Sequence, residues 1–365
     1  MNVAAMTQRQ WYSRPEDEKF GSLEELHAFL QRRHQQSDQV NVKLSDLEFI
    51  SVDTGDEMGT IDVRAKDNHY TPTHWSFGQL CSMLRAHPTY LRELPANIAS
   101  QALNWGLGRR VLEKNSEVGL MTIDKVNGRP PTLQATTSQR YGRIWDDQLA
   151  TVALELRAMT DGRFESPIDW GKEKRALFAG DRDCHILMVN GGSIVDAGVT
   201  AKGESDLLYR GFIMGNSEVG ARAWYWATFL FRYVCGNFAI HGIEDVQFQR
   251  VIHTPMAPQT FAREALPVLT EYVNASPKPL EEIIKKAKDT MLPKDLTKHI
   301  AYFVGKGFTQ HEVQRARMHA LKEEGGVETL WQMVNGFTAS ARTMKYMDAK
   351  TALQTKAGKL LEALA

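Results

Sequence analysis

The segment Ser138-Gln139-Arg140-Tyr141-Gly142-Arg143-Ile144-Trp145 carries side chains suited to a nucleic-acid strand. Guanidinium groups hold phosphates, and Tyr or Trp faces stack on bases at about 1–3 kcal/mol per base. The segment lies in a basic stretch, residues 85–145. There Arg85, Arg92, Arg109, Arg110, Lys114, Lys125, Arg129, Arg140 and Arg143 stand against Glu93, Glu113, Glu117 and Asp124, a local balance of plus five. In this reading Arg109, Arg110, Arg140 and Arg143 contact phosphates while Tyr141 and Trp145 stack. The alternative for the same residues is a core role for the two rings and a hydrated rim of arginines.

A second group is Asp181-Arg182-Asp183-Cys184-His185. Two carboxylates and an imidazole suit a divalent ion. On a strand Asp181 and Asp183 share a face with His185 following; the competing reading is a solvated loop entering a strand, with His185 hydrogen-bonded. Asp53, Asp56 and Glu57 carry a similar metal possibility against a stronger turn signal. Cys235 sits among apolar residues and reads as a buried, inert thiol. The chain has no GxxxxGK[ST], HExxH or GxSxG pattern. Gly106-Leu107-Gly108 lacks the third glycine of a dinucleotide site, and Gly191-Gly192-Ser193 lacks a lysine. No cofactor is expected.

The 365 residues hold 44 Lys+Arg and 44 Asp+Glu, and 42% of them are hydrophobic. Zero net charge excludes a uniformly basic coat but not a local basic groove. Cys81, Cys184 and Cys235 are too far apart for a disulfide scaffold or a four-cysteine zinc site. No basic-then-apolar leader opens the chain, and the apolar run 223–231 stops at Arg232, too short to span a bilayer. A soluble cytoplasmic protein with no membrane partner is expected.

The elements that must position these groups follow from periodicity. Ser22-Leu23-Glu24-Glu25 is a capping box opening a helix over 23–34. Runs 47–52 and 58–65 flank Thr54-Gly55-Asp56 and read as a hairpin. Residues 76–115 read as helices broken at His87-Pro88 and restarted at Pro95. The first carries Phe77, Leu80, Cys81 and Leu84 on one face; the second carries Ile98, Ala102, Trp105 and Leu112. Runs 118–124 and 132–137 read as strands joined by Asn127-Gly128-Arg129-Pro130-Pro131, and 146–159 as a helix. Runs 184–190, 207–215, 223–235 and 244–253 are rich in aliphatic and aromatic residues. Residues 225–235 are apolar on both faces, which fits a central strand or a buried helix. Beyond the prolines of 255–279 every pattern is helical. The fold class is α+β: a mixed, mainly antiparallel sheet with flanking helices, then an all-helical C-terminal region. The expected divisions are an acidic segment 1–70 with helix and hairpin, an α+β core 71–255 and helices over 256–365.

Several segments resemble the phage- and plasmid-like proteins grouped as domain-of-unknown-function family 932. They are residues 75–105, Thr137 to Tyr141, Gly211 to Gly220, Arg232 to Asn237, His253-Thr254 and 335–361. Asn216-Ser217-Glu218-Val219-Gly220 followed by Arg232-Tyr233-Val234-Cys235-Gly236-Asn237 is the most specific pair. The resemblance implies a mobile-element product in a bacterial cytoplasm and implies no reaction. In the shared segments Asn216, Ser217 and Arg222 form either a structured turn or a polar lip over the sheet. Arg232 either pairs with a carboxylate such as Glu218 or reaches a ligand phosphate.

Three functions follow as expectations. The first is nucleic-acid binding, to single-stranded DNA, in replication, recombination or transfer of DNA into a cell. The second is a scaffold or inhibitor that binds a host protein, with homo-oligomers open to it. The third is a metal-dependent enzyme on nucleotides using Asp181, Asp183 and His185.

Overall fold

A computed structural model describes residues 15–124, 131–166, 176–200, 203–232, 237–240, 249–276, 278–344 and 347–364. Cys235 and most of the Asn127–Pro131 turn lie outside them. The architecture is α+β, with mainly antiparallel strands, flanking helices and a helical C-terminal region.

Helix α1 (Leu23–Gln35) starts where the Ser22 side chain accepts a hydrogen bond from the Glu25 N–H. Leu23, Leu26 and Leu30 repeat at helical spacing and are buried. Then come β1 (Ser37–Lys43), β2 (Leu47–Val52), β3 (Thr60–Ala65) and β4 (Asn68–Pro72). The expected hairpin is β2–β3, in register from Leu47 opposite Ala65 to Val52 opposite Thr60. Helices α2 (His74–Met83), α3 (Pro88–Glu93) and α4 (Ala96–Glu113) precede β5 (Glu117–Ile123) and β6 (Thr132–Thr137). The six-stranded first sheet has the order β1-β5-β6-β4-β3-β2, with β4 and β6 parallel. It therefore runs across the division expected at residue 70.

Helix α4 turns the opposite face inward from the one its apolar spacing suggests. Ala96, Ala99, Ser100, Leu103 and Leu107 are buried. Asn104 fixes this orientation against β2: its amide nitrogen donates to the Phe49 carbonyl and its oxygen accepts from the Phe49 N–H, both at 2.8 Å. Ile98, Trp105 and Leu112 are left 50%, 68% and 88% exposed.

Helix α5 (Asp146–Met159) leads to β7 (Phe164–Glu165), β8 (Leu177–Ala179), β9 (Cys184–Val199), β10 (Ser205–Asn216), β11 (Trp224–Arg232), β12 (Asn237–Ile240) and β13 (Gln249–Val251). These form the seven-stranded second sheet around the antiparallel row β12-β11-β10-β9-β7. The described part of the ambiguous apolar run, up to Arg232, is thus a strand flanked on both sides. One face of the sheet carries Cys184, Ile186, Met188, Phe212, Met214, Trp224 and Trp226 in a core shared with α1 and α5. Helix α6 (Ala257–Asn274) completes that core with Phe261, Ala265, Leu269 and Tyr272. The other face carries Leu187, Val189, Ile213 and Phe229.

The C-terminal helices are α7 (Lys278–Asp289), α8 (Leu296–Val304), α9 (Gln310–Glu323), α10 (Leu330–Arg342) and α11 (Met347–Glu362). Their apolar faces close a further core over Val195, Ala197, Leu208 and Leu230 at the far ends of β9, β10 and β11. A capping box opens α9: Thr309 accepts from the Glu312 N–H, and the Glu312 carboxylate accepts from the Thr309 N–H at 2.7 Å.

Candidate functional site

Among the described residues, a buried polar cluster lies where the chain leaves the first sheet and meets the end of β10. Arg143 donates to Glu218 from Nε at 3.1 Å and also from a terminal nitrogen. The other Glu218 oxygen accepts from the Asp146 N–H at 2.7 Å, at the start of α5. Arg33, from α1, donates to Asp146 Oδ2 at 2.7 Å, and Asn216 Nδ2 donates to Asp146 Oδ1 at 2.8 Å. Asn216 also donates to the Ile144 carbonyl at 2.7 Å. Arg143, Asp146, Asn216 and Glu218 are buried. Paired buried charges of this kind are costly to separate because either partner alone keeps its desolvation penalty.

Two carboxylates this close do not ionise equally. Burial and the neighbouring Glu218 charge push Asp146 up to about 7, against the pull of Arg33, Asn216 and Arg143. Burial also acts to raise Glu218, but Arg33 and Arg143 outweigh it and hold that carboxyl below its usual range.

The aromatic members are internal supports. Trp145 lies between two neighbours: the His34 ring is stacked on it at 3.6 Å, and the Arg143 guanidinium sits 3.7 Å from its centroid. His34 is held in turn by Asp147 at 2.9 Å. Tyr141 stacks on His253 at 4.9 Å and 8°, and its hydroxyl donates to the Ser217 carbonyl at 3.0 Å. Burial pushes the Tyr141 hydroxyl above its ordinary range, with Asp146 adding to the effect. The Ser217 hydroxyl accepts from the Ala221 N–H at 2.9 Å, so the Asn216–Gly220 segment is a structured turn.

The sequence reading offered Arg109, Arg110, Arg140 and Arg143 to phosphates and Tyr141 and Trp145 to bases, with Asn216, Ser217, Arg222 and Arg232 as further candidates. The structure gathers Tyr141, Arg143, Trp145, Asn216 and Ser217 but turns them inward. Arg143 is neutralised by Glu218 and so cannot serve a phosphate in this arrangement. Arg232 is also buried, far along β11. It donates to Asp206 from Nε at 2.5 Å, and to Glu324 at the end of α9. Burial alone would lower this guanidinium, but the bonds to Asp206 and Glu324 outweigh it and raise Arg232 above its ordinary range. Its carboxylate partners are Asp206 and Glu324; Glu218 pairs with Arg143.

Arg140 is exposed beside that turn. Arg109 and Arg110 belong to the outer side of α4. Arg109 lies over the exposed Trp105 ring at 5.2 Å. Arg110 donates to the Met83 carbonyl at 2.9 Å and to Glu113 at 2.8 Å. The Arg110 bond, with the charges of Arg85 and Arg109 nearby, holds Glu113 below its usual range. The end of α4 therefore carries a net positive, solvent-facing group beside an exposed indole. The sequence reading put Trp105 on one helix with Ile98, Ala102 and Leu112 and gave it no part in the binding surface; its exposure is what that reading missed.

The proposed metal residues are only partly assembled. Asp183 Oδ2 lies 3.4 Å from His185 Nε2 and 3.3 Å from Arg222. Asp181 is exposed. Among the described residues no group of three His, Cys, Asp or Glu side chains is placed to hold a metal ion. Cys184 is buried, and burial raises its thiol well above the ordinary value, so it is no ready ligand. Among the described residues no helix is long and apolar enough to cross a membrane.

No protein-family model, curated protein or solved structure matches this chain.

Proposed function

We propose that the chain binds single-stranded nucleic acid through the outer face of α4, as the product of a phage or plasmid acting in a bacterial cytoplasm. The observation that carries this reading is the exposed Trp105 ring with the Arg109 guanidinium over it, next to Arg85 and Arg110. An exposed indole offers a stacking surface to any base, and clustered guanidiniums hold the phosphates on either side. The likeness of several segments to phage- and plasmid-like proteins supports the mobile-element setting. The test is binding of a fluorescent oligonucleotide at several salt concentrations. Binding that weakens with salt supports the reading; no binding at 50 mM salt, or binding indifferent to salt, removes it.

A second reading has its own observation. Ile98, Ala102, Trp105 and Leu112 lie at helical spacing along the outside of α4 and extend past the basic end in both directions. A partner helix or a second copy of the chain would cover such a seam, as a scaffold or inhibitor requires. Recovery of a protein partner that survives nuclease treatment, and is lost on Ile98→Glu, favours this reading over the first.

A further inference from the structure

We propose that Tyr225, His185 and Asp183 form a nucleophile, base and orienting acid for transfer of a phosphodiester to tyrosine. The three residues come from neighbouring strands and the loop before them. Gly215 on β10 stands directly opposite His185 on β9 and directly opposite Tyr225 on β11. A side chain normally fills the middle position of such a row. Here there is none, and a Cβ at Gly215 would lie 2.4 Å from the Tyr225 ring and 2.8 Å from His185 Nδ1. The missing side chain lets the tyrosine reach across a whole strand, so that its hydroxyl lies 3.2 Å from His185 Nδ1.

The direction of the hydrogen bonds follows from chemistry. The Asp183 carboxylate faces Nε2 at 3.4 Å, a contact that favours the tautomer carrying its hydrogen there. Nδ1 of the neutral ring is then an acceptor, and the Tyr225 hydroxyl is the donor to it. This is the arrangement of a general base holding the proton of a nucleophile, with a carboxylate fixing the tautomer and stabilising the imidazolium that forms. Arg222, 3.3 Å from Asp183 and partly exposed, supplies a guanidinium at the edge of the group. A guanidinium matches the non-bridging oxygens of a phosphodiester, whose charge it stabilises as the phosphorus is attacked.

The step balances without a redox partner. The Tyr225 oxygen attacks phosphorus, and its proton passes to His185 Nδ1. A P–O bond to the leaving group breaks on the opposite side of phosphorus, and the leaving oxygen departs with its electron pair and takes a proton from solvent, to which His185 then returns its own. The product is a phosphotyrosine ester plus an alcohol. Tyr225 and His185 are catalytic residues in this scheme; Asp183 is a positioning residue.

The proposal shares with the nucleic-acid reading only the phosphodiester, and its test does not need α4. The full chain is incubated with bis(p-nitrophenyl) phosphate; nitrophenolate release is followed by absorbance and the protein by intact mass. A burst of nitrophenolate, with an aryl phosphate added to Tyr225, is expected. Tyr225→Phe keeps the ring over Gly215 and should give neither burst nor adduct. His185→Gln should slow the burst at least tenfold, and Asp183→Asn should both slow it and move its pH profile. No burst from wild type, or a wild-type burst from Tyr225→Phe, overturns the proposal. Absence of oligonucleotide binding by wild type with the burst intact would leave this site standing and place the failure on α4.

Discussion

Arg143 grips Glu218 through two of its nitrogens while Glu218 caps the first N–H of α5 at Asp146, so one carboxylate ties the exit of the first sheet to the second. Removing one partner of this pair should be costly. Arg143→Met leaves Glu218 buried with Arg33 at 3.8 Å as its remaining cation. The expected loss is about 3–5 kcal/mol in urea unfolding. Adding Glu218→Gln to Arg143→Met should recover part of it. A loss within about 0.5 kcal/mol of wild type would show that the pair is not closed in solution.

The same cluster sets a pH dependence with a definite sign. Asp146 is raised from 3.8 to about 7 on folding, so between those values the folded chain holds a proton that the unfolded chain releases. Its contribution is present below the lower value and is lost as pH rises through the upper one. Glu218 is lowered and acts the other way, losing its contribution on acidification below its unfolded value. Stability should therefore decline from weakly acidic to neutral pH in wild type. In Asp146→Asn that decline should flatten, as measured by urea midpoints across the range.

On α4, Trp105→Ala and Arg109→Ala change exposed groups and should leave unfolding within about 0.5 kcal/mol of wild type. Oligonucleotide affinity should fall by about 1–3 kcal/mol for Trp105→Ala. For Arg109→Ala the salt slope should fall by about 1. Fluorescence anisotropy titrations check both.

Arg232 joins β11 to Asp206 on β10 and to Glu324 beyond α9, where Asn335 also reaches Glu324 at 3.4 Å. Arg232→Met should destabilise by about 3–5 kcal/mol. Hydrogen exchange should show the loosening in α9 and α10 more than in α1.

Gly142 has no room for a methyl group, since a Cβ there would lie 1.9 Å from the Thr254 carbonyl oxygen. The Gly142 N–H donates to the His253 carbonyl across the same contact, at 3.3 Å. Gly142→Ala should cost at least about 2 kcal/mol and release the Tyr141–His253 stack. A drop in melting temperature with altered near-ultraviolet dichroism is the readout.

Much of the architecture is legible in the sequence. Asp146–Met159 shows helical spacing and opens with two acids, and the 47–52 and 60–65 runs alternate around a turn. The face of α4 was not legible, because its buried side mixes the small Ala96, Ala99 and Ser100 with Leu103 and Leu107 while Ile98, Trp105 and Leu112 lie outside. Small residues let the helix approach β2 closely, so packing there runs against the hydrophobicity count. The fates of Arg143 and Arg232 were hidden for a different reason. Their carboxylates lie 75 residues away for Arg143, and 26 and 92 for Arg232, distances that no local spacing encodes. A basic segment read locally looks like a binding surface; the same guanidiniums become internal braces once distant acids arrive. The row His185–Gly215–Tyr225 was equally invisible until the strand register was known.

Helix α1 packs with elements made much later: Arg33 reaches Asp146 across 113 residues and the Gly180 carbonyl across 147. During synthesis at about 5–20 residues per second, that gap is on the order of ten seconds. A nascent chain therefore holds Leu23, Leu26 and Leu30 without their native partners over that gap.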